Sequence, residues 1–228
     1  MKITNLAILL IPLLLLTACG GSSHSGSEAL SGTWQSELNN HLFLVRQNGN
    51  SITIENCDED APYTIPKEGE FIGEAGNYLF EIVNSSQLIY SSGVHASLQG
   101  MKLEKISDAT SFNSGSISIR SSNISDLSIS ENVCAYRETD NIYNHIAAPY
   151  LDGYILIDLS VNNESMGDFK IFDGANIDIE SRELAAGVIN ALSGDVIVTT
   201  YTAEKLEASF TFIALDGNEY SGAINVNM

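Results

Sequence analysis

The sequence predicts an all-β protein, its antiparallel strands gathered into one or two small barrels or sandwiches behind an apolar N-terminal leader. Three observations carry this. From about Gly32 to the end, runs rich in Ile, Val, Thr, Tyr and Phe alternate with clusters of Gly, Asn, Asp and Ser, the punctuation of antiparallel strands. Within many runs the apolar positions recur every second residue, the period of a pleated strand. Hydrophobic residues are 44% of the chain and charged ones 17%, the balance of a chain that buries a core.

The leader comes first. Lys2 precedes an apolar run from Leu6 to Leu16, and small residues follow it, which is the three-part layout of a secretory signal over residues 1–18. Pro12 interrupts the run, and its length falls short of the roughly 20 residues that a membrane-spanning helix needs. Leu16-Thr17-Ala18-Cys19 resembles the lipobox of bacterial lipoproteins. The resemblance implies cleavage after Ala18, a diacylglyceryl thioether on Cys19 and a further acyl chain on the new amino group. Two or three chains, at about 0.8 kcal/mol per buried methylene, hold a protein to a membrane where one chain does so only marginally. Gly20 stands where an aspartate favours inner-membrane retention in many such lipoproteins, so the resemblance implies a lipid-anchored place in the cell envelope, at the outer membrane. Residues 19–31 then read as the lipidated cysteine and a flexible Gly/Ser tether.

A first β-unit is expected over 32–107. Gly32-Thr33-Trp34 resembles the Gly-x-Trp opening of lipocalin-like barrels, which implies that Trp34 closes a barrel floor. Leu42–Arg46 and Ser51–Glu55 flank an Asn48-Gly49 turn, and Asn-Gly is a strong hairpin signal because both residues tolerate positive φ. Tyr78–Val83 and Gln87–Tyr90 flank Asn84-Ser85-Ser86, and Met101–Ile106 reads as the unit's last strand before the polar break Ser107–Thr110.

A second β-unit is expected over 108–228. Ser116–Arg120, Leu127–Ser130 and Tyr154–Val161 are its first strands. Arg182–Leu192 has helix-like spacing through Leu184, Val188, Ile189 and Leu192, weakened by about 1 kcal/mol at Gly187, and reads as a short helix or a crossover. A three-strand meander ends the chain. Val196, Val198 and Thr200 share a face of its first strand, alternating with Ile197, Thr199 and Tyr201; Leu206, Ala208, Phe210 and Phe212 share one of its second, and Tyr220, Gly222, Ile224 and Val226 one of its third. The last two strands are joined at Asp216-Gly217-Asn218.

The 10 Lys and Arg against 29 Asp and Glu give a formal net charge of −19, and removal of Lys2 with the leader makes the mature chain one unit more negative. Such an acidic surface excludes nucleic acid as an expected partner, since that binding neutralises phosphates with Lys and Arg. With Cys19 acylated, Cys57 and Cys134 are the remaining cysteines, and a thiol pair exported to an oxidising compartment is expected to end as a disulfide.

No Gly-x-Ser-x-Gly elbow, His-Glu-x-x-His helix, phosphate loop or dinucleotide fingerprint occurs in the sequence. A Ser-His-Asp site assembled from scattered residues stays open, because triads are defined by geometry. His24, His41, His95 and His145 lack metal-ligand spacing, so neither a metal nor another cofactor is expected. Asp58 and Asp60 beside Cys57 suit a solvated acidic turn better than a calcium loop, having no EF-hand glycine or distal glutamate. Trp34, Phe43 and Phe80 are either core or the lining of a cavity, if the first unit is a barrel. The expectation is a non-enzymatic, membrane-anchored binding or structural module with an unknown protein or small-molecule partner. A lipocalin-like carrier of a small apolar ligand is the alternative, and a hydrolase without motifs is a third.

Overall fold

The computed structural model describes residues 29–57, 62–74, 76–92, 96–122, 124–139, 143–150, 153–161, 165–180 and 187–228. The leader, Cys19 and His24 lie outside them, as do Asp58-Glu59-Asp60, His95 and the Arg182–Leu184 start of the helix-like segment. The chain is all-β, in two sheets.

The first sheet is a closed barrel of eight strands in sequence order: β1 (Gly32–Ser36), β2 (Leu42–Asn48), β3 (Ser51–Asn56), β4 (Tyr63–Glu68), β5 (Phe71–Glu74), β6 (Asn77–Asn84), β7 (Gln87–Tyr90) and β8 (Lys102–Ser107). Every neighbour is antiparallel, and β8 returns to β1 with Gln35 opposite Glu104. The turn between β2 and β3 is tight, with Asn48 opposite Ser51 and Gly49 at a φ of 59° that favours glycine. Inside the barrel, Trp34, Val45, Ile52, Ile54, Ile72, Phe80, Leu88 and Leu103 form the core. An eight-stranded barrel is just wide enough to be filled by side chains or to hold one small ligand.

The flexible tether expected through Ser31 ends earlier than that. Leu30 is buried under the barrel, its carbonyl accepts the Trp34 Nε1–H at 2.9 Å, and its N–H donates to the buried Gln47 side chain. Ser31 is held too, its hydroxyl accepting the Gln47 N–H. These contacts close the barrel at the end where β1 begins.

The second sheet has ten strands: β9 (Gly115–Ser121), β10 (Ile124–Ile129), β11 (Cys134–Arg137), β12 (Tyr143–Tyr150), β13 (Gly153–Val161), β14 (Gly167–Ile171), β15 (Gly174–Glu180), β16 (Val188–Tyr201), β17 (Lys205–Ala214) and β18 (Glu219–Asn227). Their order is β10-β9-β18-β17-β16-β14-β15-β13-β12-β11, with β15 pairing β16 as well, and antiparallel except for β14 beside β15. The sheet curls around one apolar core drawn from both flanks, Ile117 and Ile119 on β9 and Ala135 and Ile146 on β11 and β12 among them. Ser114 bridges the approaching flanks, donating its N–H to the Val133 carbonyl while its own carbonyl accepts from Asn227.

The C-terminal meander is β16–β17–β18, with Leu206, Ala208, Phe210 and Phe212 all buried on one face of β17. The helix-like spacing before it is overturned over the described residues: Val188, Ile189 and Leu192 belong to strand β16. Ile189 and Ala191 face the core while Val188, Asn190 and Leu192 face out, a period of two set by hydrogen-bonded strands on both sides.

Strand β2 joins the units. Phe43, Val45 and Gln47 alternate into the barrel, while Leu42 and Leu44 point out and pack with Phe112, Cys134, Tyr136, Ala147 and Leu156. The unbroken apolar run Leu42-Phe43-Leu44-Val45 thus reflects a strand covered on both faces. Cys57, just after β3, is disulfide-bonded to Cys134 on β11, with Cα atoms 5.8 Å apart. Polar contacts frame this joint: Thr33 Oγ1 donates to the Ala109 carbonyl, Asn40 Nδ2 to the Arg137 carbonyl and Thr139 Oγ1 to the Leu38 carbonyl.

Candidate ligand site at the open end of the barrel

The end of the barrel opposite Leu30 contains a pocket of about 380 Å³, within the range of small-molecule sites. Its walls come from strand ends. Phe43 on β2, Tyr63 on β4, Leu79 and Phe80 on β6 and Tyr90 on β7 supply most of the apolar surface, with Leu98 and Met101 from the segment before β8. Asn39, His41 and Asn56 supply the polar groups. Phe80 and Tyr90 meet edge to face, with centroids 5.6 Å apart and planes at 78°, and His41 stacks on Phe43 at 4.7 Å. The pocket wall is thus largely aromatic, suited to an apolar ligand.

Asn56 is the polar feature of greatest consequence. It ends β3, directly opposite Phe43 on β2, and the backbone bond from the Cys57 N–H to the Leu42 carbonyl fixes the chain just beyond it. Ile52 and Ile54 on the same strand face are barrel core, so period two turns the Asn56 side chain inward after them. Its Oδ1 is sealed from solvent and has no hydrogen-bond partner within the protein. A buried acceptor left unsatisfied costs about 1–3 kcal/mol.

On its outer side the pocket meets the second sheet. His41 lies 4.9 Å from Tyr136 on β11, and Tyr136 stacks at the same distance on His145 of β12. His145 is held between two carboxylates, Nδ1 being 2.6 Å from Asp158 and Nε2 3.2 Å from Glu138. An aromatic ladder therefore runs from the pocket wall into a charged row on the second sheet.

The aromatic residues singled out from sequence divide. Phe43 and Phe80 line the pocket; Trp34 lies deeper, wholly buried, with its indole N–H bonded to Leu30. Sequence reasoning missed His41, Tyr63, Tyr90 and Asn56 as lining residues, since only closure of the sheet brings them together. A larger cleft of about 620 Å³ lies between the units. Its guanidinium, Arg137, is already committed, donating to Asn144 Oδ1 and the Thr202 carbonyl and lying 4.2 Å over the Tyr201 ring. Among the described residues no three His, Cys, Asp or Glu side chains gather as a metal site.

Fold and site together define a two-sheet β-protein with a closed barrel and an aromatic pocket at its open end. In comparisons with protein families, curated proteins and solved structures, nothing matches this chain.

Proposed function

We propose that this protein is a non-enzymatic binding protein of the cell envelope, tethered through a lipid on Cys19, that holds a small, largely apolar molecule in the open end of its barrel. The observation that carries the reading is the pocket itself: a closed barrel whose core stops short of one end and leaves an aromatic-walled space beside a buried acceptor. The lipobox-like Leu16-Thr17-Ala18-Cys19 supports export and anchoring, with the outer membrane as destination and the second sheet as a brace for the barrel.

Native mass spectrometry of the protein extracted from its own membrane tests this. A co-purifying small molecule, lost in Phe80→Ala, is expected. A ligand-free protein that also fails to bind apolar fluorescent probes at the barrel sinks the reading.

A scaffolding role is the second reading, favoured by Leu192, Ile213 and Leu215, which are 51%, 47% and 67% exposed at one end of β16 and β17. Exposed apolar side chains grouped in this way suit a protein contact. Mutating all three to serine and losing a cross-linked envelope partner, with ligand binding intact, would favour it.

A further inference from the structure

The chain enters the barrel at one end, and the pocket opens at the other. Leu30 and Ser31 are fastened to Gln47 at the closed end, and Lys105 Nζ donates to the Ala29 carbonyl at 3.3 Å while pairing with Asp108 at 2.6 Å. The described chain is thus held up to its first residue, and ten residues, 19–28, separate that point from the lipid expected on Cys19. A Gly/Ser-rich coil of that length averages about 16–19 Å from end to end. The pocket mouth lies a strand away from this clamp. Strand β6 runs its 8 residues from Asn77 at the open end to Asn84 at the closed one, and a tilted barrel strand of that length stands about 20 Å tall. Turning the mouth onto a bilayer would therefore stretch the tether past its average span, back along the barrel wall.

Charge acts in the same direction. Residues 108–228 carry 18 of the 29 Asp and Glu but 5 of the 10 Lys and Arg. This acidic second unit is fastened at the open end of the barrel, through Cys57 to Cys134, Asn40 to Arg137 and Leu38 to Thr139. An anionic leaflet repels that end more than the other. We infer that the closed end of the barrel is the surface this protein lays toward the membrane, so that the pocket opens away from the bilayer, toward the aqueous side. This rests on the lipid reading of Cys19 and is independent of what the pocket holds.

Ser85 and Asn77 are exposed at the two ends of β6, and the Ser86 carbonyl beside Ser85 accepts the Lys105 N–H. Ser85→Cys and Asn77→Cys are each labelled with a thiol-reactive donor dye while the native disulfide stays oxidised. Both are then compared, as the acylated full mature protein, on phosphatidylethanolamine and phosphatidylglycerol vesicles that carry an acceptor dye on their headgroups. Only protein that floats with the vesicles is scored. Energy transfer should be several-fold more efficient from the Ser85→Cys label than from the Asn77→Cys label. Equal transfer would mean that the barrel tumbles or lies on its side, and stronger transfer from Asn77→Cys that the mouth faces the lipid; either overturns the inference and leaves the anchor standing. Protein that does not float overturns the anchor reading and the inference with it. Asn50→Cys, exposed in the β2–β3 turn at the closed end, takes the place of Ser85→Cys where that variant does not fold.

Discussion

Cys57 is covalently bonded to Cys134 one residue beyond Asn56, so the link between the two sheets is anchored at the rim of the barrel pocket. Beside it, Leu42, Leu44, Tyr136, Ala147 and Leu156 bury a small apolar joint. The bond bridges a sequence separation of 77 residues, and closing a loop of that size removes about 4.5 kcal/mol of denatured-state freedom as an upper figure. Replacing both cysteines with alanine should lower the unfolding temperature and split a single calorimetric transition into two, because the apolar joint is small beside either core. Ligand affinity should fall as well, since the rim loses its brace. One unchanged transition in the double variant would count against this coupling.

Phe210 and Phe212 are 3% and 1% exposed on the inner face of β17, and Thr211 between them points out. Phe212 stacks on Tyr220 at 5.4 Å across the β17–β18 ladder. Alanine at either phenylalanine should cost roughly 3–5 kcal/mol in urea unfolding, while Thr211→Ala should cost far less. Equal small losses at all three positions would mean that the strand does not bury this face.

How much of this was legible depends on what covers each strand. The meander announces itself because Glu207, Ser209 and Thr211 alternate with buried neighbours and one sheet face is wet. β2 shows no alternation, for the opposite reason: Leu42 and Leu44 are covered by the second unit while Phe43 and Val45 face the barrel. β4 goes unseen because Pro66, Lys67 and Glu68 mask a strand whose neighbours supply its pairing. At the start of β16, outward-facing Val188 and Leu192 combine with inward Ile189 to mimic a helical stripe. The disulfide could be expected by elimination once Cys19 was assigned to the lipid. Asn56 could not, since an asparagine at a strand end is ordinary until barrel closure leaves its Oδ1 buried and without a partner.

Cys19 carries the expectation of membrane attachment. Cys19→Ala should abolish incorporation of labelled fatty acid and move the protein from the membrane to the soluble fraction. A variant still labelled, or still membrane-bound after a high-salt wash, would remove the anchor from the proposal.

Asp178 on β15 lies directly opposite Asp158 on β13. Burial pushes the Asp178 carboxyl above its ordinary 3.8; a hydrogen bond from Asn176 Nδ2 at 3.1 Å opposes the shift, and the Asp158 charge adds to it. Asp158 is itself bound to His145 Nδ1, and so stays committed to the ladder that reaches the pocket wall. Because the folded state holds the Asp178 proton more tightly than the unfolded chain does, ionising this group opposes folding. That cost is fully present above the raised folded value, shrinks as pH falls through it, and is gone below about 3.8, where both states are protonated. Asp178→Asn keeps an acceptor for Asn176 and removes the charge. It should therefore raise the unfolding temperature near neutral pH, and the gain should fade on acidification to about pH 3. Thermal midpoints of the wild-type and variant proteins across that range decide it: no gain at neutral pH, or one that persists unchanged in acid, would show that Asp178 ionises without penalty in the folded sheet.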